Sequence, residues 1–213
     1  KYFSKFCVYY FLYIRFKVKK NIYLNNATVQ VYIIHNIVTE NILMSRFVLS
    51  ADLHLGHDNI LKYRSGFDSP EEHHNILFDN LASFVQRRDT LILLGDIATI
   101  PFWLERVASI QCTKKVLVLG NHCTNMKVSG KMLALTDGFD EIHSMLSKRN
   151  TWFTHCPIHP QELHGKINVH GHLHDSIILD DAGKPDPRYI NVSVDQTQFR
   201  PALFGDVVSQ ITR

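Results

Sequence analysis

Short apolar runs recur along the second part of the chain, separated by polar stretches of varied length. Phe47 to Leu49, Leu91 to Leu94, Val116 to Leu119, Thr151 to Thr154, Ile167 to Val169 and Tyr189 to Val194 are the clearest. Their length and their β-branched or aromatic content predict buried or half-buried strands. Between the first two runs, Ser69-Pro70-Glu71-Glu72 has the form of a capping box with Pro at the first helical position. Ile76, Leu77, Leu81, Phe84 and Val85 follow at helical spacing, while His73 and His74 fall in the first turns and read as solvated. A second helix is predicted from near Pro101, with Trp103, Leu104, Val107 and Ile110 on its buried face. Gly183 to Pro187 reads as an exposed turn before the last run. Strands alternating with helices predict an α/β layered fold.

Five of these strands stop at side chains that ligate metals or move protons. The first leads into Asp52-Leu53-His54, the second into Gly95-Asp96 and the third into Gly120-Asn121-His122. The fourth leads into His155, and the fifth into His170-Gly171-His172-Leu173-His174. In open α/β sheets ligands bind outside the carboxyl ends of the strands, so segments distant in sequence can converge there. Taken singly, each motif is weak: Gly-Asp serves as a turn, Asn-His as a capping pair, and exposed loop histidines are common. Alternation along an extended His-x-His segment would put both imidazoles on one side. The joint occurrence at five strand ends is what separates the set from chance.

As a set and in this order, the motifs resemble the calcineurin-like metallophosphoesterase superfamily, more narrowly its compact bacterial and phage members. The resemblance runs from about Arg46 to Val208 and includes Gly56-His57, Asn59-Ile60 and Asn191-Val192-Ser193-Val194-Asp195. It implies a four-layer α/β/β/α sandwich without room for a large cap domain. It further implies that Asp52, His54 and His174 hold one divalent metal, that Asn121, His155 and His172 hold another, and that Asp96 bridges them. Two such ions, with Mn foremost and Fe, Zn or Ni as alternatives, would activate a hydroxide to attack a phosphomonoester or phosphodiester. His122 would protonate or stabilise the leaving group, and His57 and Asn59 would contact the substrate phosphate. Their bland reading is local hydrogen bonding within the loop. One position departs from the pattern: Cys123 stands where the superfamily usually has an acidic residue, which would orient His122. The resemblance therefore implies that Cys123→Asp raises turnover.

Composition narrows the picture without changing it. A length of 213 residues suits one domain with a substantial core, and 45% hydrophobic with 20% charged residues is the balance of a globular chain. The net charge of +3 is uneven, since residues 1–43 contribute +5 and leave 44–213 at −2. That balance offers no broad footprint for nucleic acid. Residues 1–43 contain no Gly, Pro, Asp or Trp but six of the eight tyrosines, and Met44 directly precedes the first strand. We expect 1–43 to be translated upstream sequence or a dispensable extension, and 44–213 to form the catalytic domain. The apolar stretch Phe6 to Ile14 is too short to span a bilayer, so no membrane partner is expected. Cys7, Cys112, Cys123 and Cys156 form no C-x-x-C pair, which fits a reducing, cytoplasmic setting. Two other classes remain open: a degenerate scaffold of the same fold that binds protein, and a nuclease of the same superfamily.

Overall fold

The capping box at Ser69 opens the longest helix. In the computed structural model, which describes residues 46–124 and 137–209, α1 (Pro70–Phe84) starts where the sequence predicts. The Ser69 side chain accepts the Glu72 N–H at 3.1 Å, and Glu72 in turn accepts the Asp68 N–H at 2.6 Å. Both bonds satisfy amides at or beside the helix start, where the helix itself supplies no acceptors. The extension expected for residues 1–43 lies outside the described residues.

The buried face of α1 is His73, His74, Leu77 and Leu81. Ile76 is exposed, because it lies about 100° round the helix from Leu77. The expectation that His73 and His74 are solvated is therefore wrong. Burial of both is tolerated because each has a partner: His73 Nε2 lies 3.1 Å from Arg64 Nη1, and the two Nδ1 atoms lie 3.0 Å apart. Helix α2 (Pro101–Ala108) buries Trp103, Leu104 and Val107 as predicted.

All six predicted strands form. A five-stranded sheet has the order β4-β3-β2-β1-β9, with β1 (Phe47–Ser50), β2 (Thr90–Leu94), β3 (Lys114–Val118) and β4 (Glu141–His143) parallel and β9 (Ala202–Leu203) antiparallel to β1. A four-stranded sheet has the order β5-β6-β7-β8, with β6 (Thr151–Phe153), β7 (Ile167–His170) and β8 (Tyr189–Asn191) parallel and β5 (Leu146–Lys148) antiparallel to β6. With α3 (Asn121–Thr124) and α4 (Phe204–Ser209), the described residues form a mixed α/β fold of two sheets and four α-helices.

Strand alternation gives each face of the first sheet its own core. Val48, Leu91, Leu93 and Leu117 pack with Leu77, Leu81, Trp103, Leu104 and Val107 of the helices. Phe47, Leu49, Ile92, Leu94, Val116 and Val118 pack with Phe153 and Val169 of the second sheet and with Val192 just beyond β8. Strands covered on both faces read as continuous apolar runs, which is why β1 and β2 were legible. Each such Leu or Val contributes about 1.5–3 kcal/mol by burial. No helix among the described residues is long and apolar enough to cross a membrane.

One ion pair fastens the amino ends of β1 and β2. Arg46 donates to both carboxylate oxygens of Asp89, at 2.8 and 2.5 Å, and the Gln86 N–H adds a third bond at 2.8 Å. Burial alone would raise the Asp89 carboxyl, but the Arg46 and Gln86 bonds outweigh it and hold the group below the usual carboxylate range. The stability this adds is complete above the unfolded pKa of about 3.9 and is lost as pH falls through the depressed folded value. Asp89→Asn should lower stability at pH 7 by about 2 kcal/mol. Thermal unfolding across pH 7 to 3 should show the gap to the unaltered chain narrowing at the acid end.

Candidate metal centre

The side chains that stood out in sequence gather where the parallel strands end. Asp52 and His54 follow β1, Asp96 follows β2, Asn121 and His122 follow β3, His155 follows β6, and His172 and His174 follow β7. The turns are joined across the sheets: His54 N–H donates to the Asp96 carbonyl at 2.8 Å, and Gly171 N–H to the His155 carbonyl at 2.9 Å. The chain does not stay extended through these motifs. Asp52, His54, Asp96, His172 and His174 all have positive φ, from 47° to 69°, and they are half of the ten non-glycine residues with positive φ among those described. That conformation costs about 1 kcal/mol or more per residue and concentrates at functional sites. It also corrects the expected geometry of His-x-His: left-handed turns, not alternation along a strand, send His172 and His174 to different ligand groups.

Asp52, His54 and His174 form one group, with ligand atoms within 4.8 Å of one another. Asp52 is fully buried and accepts hydrogen bonds through only one carboxylate oxygen: Oδ2 accepts Ser193 Oγ–H at 2.6 Å and His172 N–H at 2.8 Å, while Oδ1 lies 3.9 Å from His155 Nδ1. Asp52 Oδ1 and His54 Nε2 are buried with no hydrogen-bond partner. Burial pushes the Asp52 carboxyl up despite the Ser193 bond, and burial carries His54 down to about 3. A buried carboxylate oxygen and a neutral imidazole nitrogen, both bare, are a donor set that a divalent cation fits.

The second group centres on His155. Its Nδ1 lies 2.8 Å from the Leu94 carbonyl, which can only accept, so Nδ1 carries the hydrogen and Nε2 presents a lone pair. Around Nε2 stand Asn121 Oδ1 at 2.8 Å, His172 Nδ1 at 3.2 Å and Asp96 Oδ2 at 3.2 Å. The three atoms His155 Nε2, Asn121 Oδ1 and Asp96 Oδ2 are all acceptors, and with His172 in its Nε2–H form a fourth lone pair joins them, an arrangement that favours positive charge at that point. Burial works against a charged His155, but hydrogen bonding and charge from Asp96 outweigh it and raise the ring's affinity for a proton. A metal ion fits the same place. Asp96 also feels His54, and its Oδ1 accepts the His122 N–H at 2.8 Å, so it stands between the two groups. The groups overlap further through Asp52, which joins Asp96 and His155 in a third set within 4.8 Å.

Close backbone approach explains the glycines in two of the motifs. A Cβ on Gly120 would strike the Asp96 carboxylate, and one on Gly171 would lie 2.5 Å from Asp52 Oδ2 and 2.6 Å from Ala51 Cβ.

A cleft of about 1020 Å³ adjoins the first group and is lined by His54, His174 and His122 together with His57, Asn59 and Lys62. The His122 ring lies 5.4 Å from that of His54. His57 and Asn59 thus stand at the cleft, and His57 Nδ1 is buried without a hydrogen-bond partner. His159 caps the short 3-10 turn Pro160–Leu163 and His164 is exposed beside Glu162, so neither joins the site. Sequence reasoning missed Arg64 and undervalued Ser193 and Asp195. Ser193 holds Asp52, and Asp195 accepts from His174 Nδ1 at 2.9 Å. Cys156 is exposed, with its sulfur in one group with His155 and His172.

No family model matches the chain, and no curated protein matches it. Among solved structures the chain is similar to the protein of unknown function AQ665 from Aquifex aeolicus, at 19% identity and a TM-score of 0.58. The match covers 78% of this chain and all of the other. A likeness at that identity supports the α/β fold alone.

If these residues hold divalent ions, adding Mn at about 100 times its Kd should stabilise the chain by about 2.7 kcal/mol, reversed by chelator. Gly171→Ala, which displaces Asp52, should lose most of that metal-dependent rise in Tm.

Proposed function

We propose that the chain is a metal-dependent phosphoesterase of the calcineurin-like type, hydrolysing a phosphomonoester or phosphodiester. The observation that carries this reading is the convergence of seven ligand-type side chains from five strand ends into two adjoining groups, with Asp52 Oδ1 and His54 Nε2 bare in the first and Asn121, His172 and Asp96 gathered round His155 Nε2 in the second. Asp52, His54 and His174 would hold one ion, Asn121, His155 and His172 the other, with Asp96 between them. Mn is the first candidate, and Fe, Zn and Ni suit the same donors. Two ions so held supply Lewis-acid charge at the phosphate and lower the pKa of a bound water. Helices on one face of the first sheet and a second sheet on its other face support the superfamily's four-layer sandwich.

The chain's own groups have distinct tasks in this reading. Asp96 and the His122 amide are hydrogen-bonded, which fixes the backbone beneath the His122 ring. From the cleft wall that ring can give a proton to a departing alkoxide. His57 and Asn59 can donate to the phosphate's remaining oxygens. Cys123 is buried beside Asp96, and burial pushes its thiol up. A carboxylate in its place would be desolvated and repelled by Asp96. The gain in turnover that the resemblance implies for Cys123→Asp is therefore set against a loss of stability, seen as a lower Tm.

The deciding assay uses aryl phosphate mono- and diesters with added Mn, with and without chelator. Metal-dependent release of the aryl alcohol is expected, with His122→Ala lowering kcat by about 10²–10⁴. Absence of metal-dependent hydrolysis with either ester class would overturn the proposal.

A further inference from the structure

Arg64 accounts for every one of its hydrogens inside the protein, and where they go makes the two halves of the centre unequal. The residue is 4% exposed. Its Nε–H donates to Asp195 Oδ1 at 2.8 Å, and Nη2 donates to Asp195 Oδ2 at 2.7 Å and to the Asp52 carbonyl at 2.6 Å. Nη1 lies 3.1 Å from His73 Nε2 and 3.5 Å from the Leu53 carbonyl. A guanidinium has five N–H groups and no acceptor, so these partners exhaust it. Nη2 also lies 3.3 Å from His174 Nδ1, but it has no hydrogen left to give. The His174 hydrogen on Nδ1 therefore goes to Asp195 Oδ2, and Nε2 is left as the lone pair.

We infer that Arg64 and Asp195 are positioning residues for the first half of the centre only, and that they make it the tighter of two metal sites. The inference rests on the phosphoesterase reading of the same site. Arg64 locks the Asp195 carboxylate in plane with itself, and Asp195 fixes both the tautomer and the ring angle of His174. The same guanidinium fastens the backbone carbonyl of Asp52, while the Asp52 carboxylate, which reaches both groups, is held separately by Ser193 and the His172 N–H. A carboxylate partner raises the basicity of a ligating imidazole more than a neutral acceptor does. In the other half, His155 Nδ1 donates to the neutral Leu94 carbonyl at 2.8 Å, and the nearest carboxylate oxygen, Asp52 Oδ1, stands off at 3.9 Å. Because the pair Arg64–Asp195 is internally neutral, it orients His174 without adding net charge to a centre that already holds Asp52 and Asp96.

Titration of the metal-free full chain with Mn alone, followed by calorimetry and by metal content after gel filtration, tests this. The unaltered chain should bind two ions with separable affinities. In Asp195→Asn the tighter site should weaken by about 10–100-fold while the weaker one stays unchanged. Arg64→Lys, which cannot make the two-pronged contact, should move in the same direction. His172→Ala should instead remove the weaker site. A role confined to tethering the loop would lower the Tm of the metal-free protein and leave both affinities of the folded fraction equal to those of the unaltered chain. That result, or equal weakening of both sites in Asp195→Asn, overturns the inference while the enzyme reading stands. An unaltered chain that binds no Mn overturns both. Should Asp195→Asn fail to fold, Asp195→Glu carries the test, since a lengthened carboxylate must turn His174 and weaken the same single site.

Discussion

Too many electron pairs meet in too little space at the ends of the strands, and the rest of the molecule is arranged around that fact. Asp52 Oδ1 and His54 Nε2 have no partner, while His155 Nε2 faces a carboxylate, an amide oxygen and another imidazole. An uncompensated arrangement of this kind costs several kcal/mol in a buried site. Protons relieve it only in part, because a proton on one ring leaves the neighbouring oxygens bare. A divalent cation would meet several of these atoms at once, and among the described residues three groups of His, Asp and Cys side chains lie close enough together to hold one.

Holding such a cluster requires a scaffold that does not relax. The strain of Asp52, His54, Asp96, His172 and His174 in the left-handed region is offset by the cores on the two faces of the first sheet, one against helices and one against the second sheet. The turns that carry the ligands are then locked to each other by backbone bonds, as between His54 and Asp96 or between Gly171 and His155. Glycine at 120 and 171 lets backbone approach the carboxylates so closely that no side chain fits between. Rigid strands, strained turns and missing side chains are three parts of one solution.

Much of this was legible in the sequence because it is local. Each strand that is covered on both faces shows as an apolar run, and each ligand follows directly after one. Strands β4, β5 and β9 were missed: they are two or three residues long, only partly buried, and exist because the edges of β3, β6 and β1 offer unpaired backbone. His73 and His74 were misplaced because their burial depends on partners that spacing along α1 does not reveal. Arg64 was invisible for a similar reason. Its carboxylate partner is 131 residues away, and nothing near it in sequence distinguishes a buried clamp from a surface arginine. Asp195 lay in a stretch that looked familiar, yet its task is set by His174 and Arg64 together. Local pattern shows where ligands start; only the packed structure shows what holds them.

The cleft gives the centre a direction as well as a composition. His54, His174 and His122 line it, whereas Asn121, His155 and His172 do not. On the phosphoesterase reading, a phosphate entering from that side would meet the first group and the His122 ring together. The bulk of its ester would then lie toward His57, Asn59 and Lys62, on the loop and short 3-10 turn that follow β1. At about 1020 Å³ the space is far larger than a phosphate needs and is of the size that takes a whole small molecule. Selection among esters would then fall to the segment after β1, which also supplies Asp52 and His54. On that reading recognition and metal holding would share one stretch of backbone, which Arg64 fastens at the Asp52 and Leu53 carbonyls.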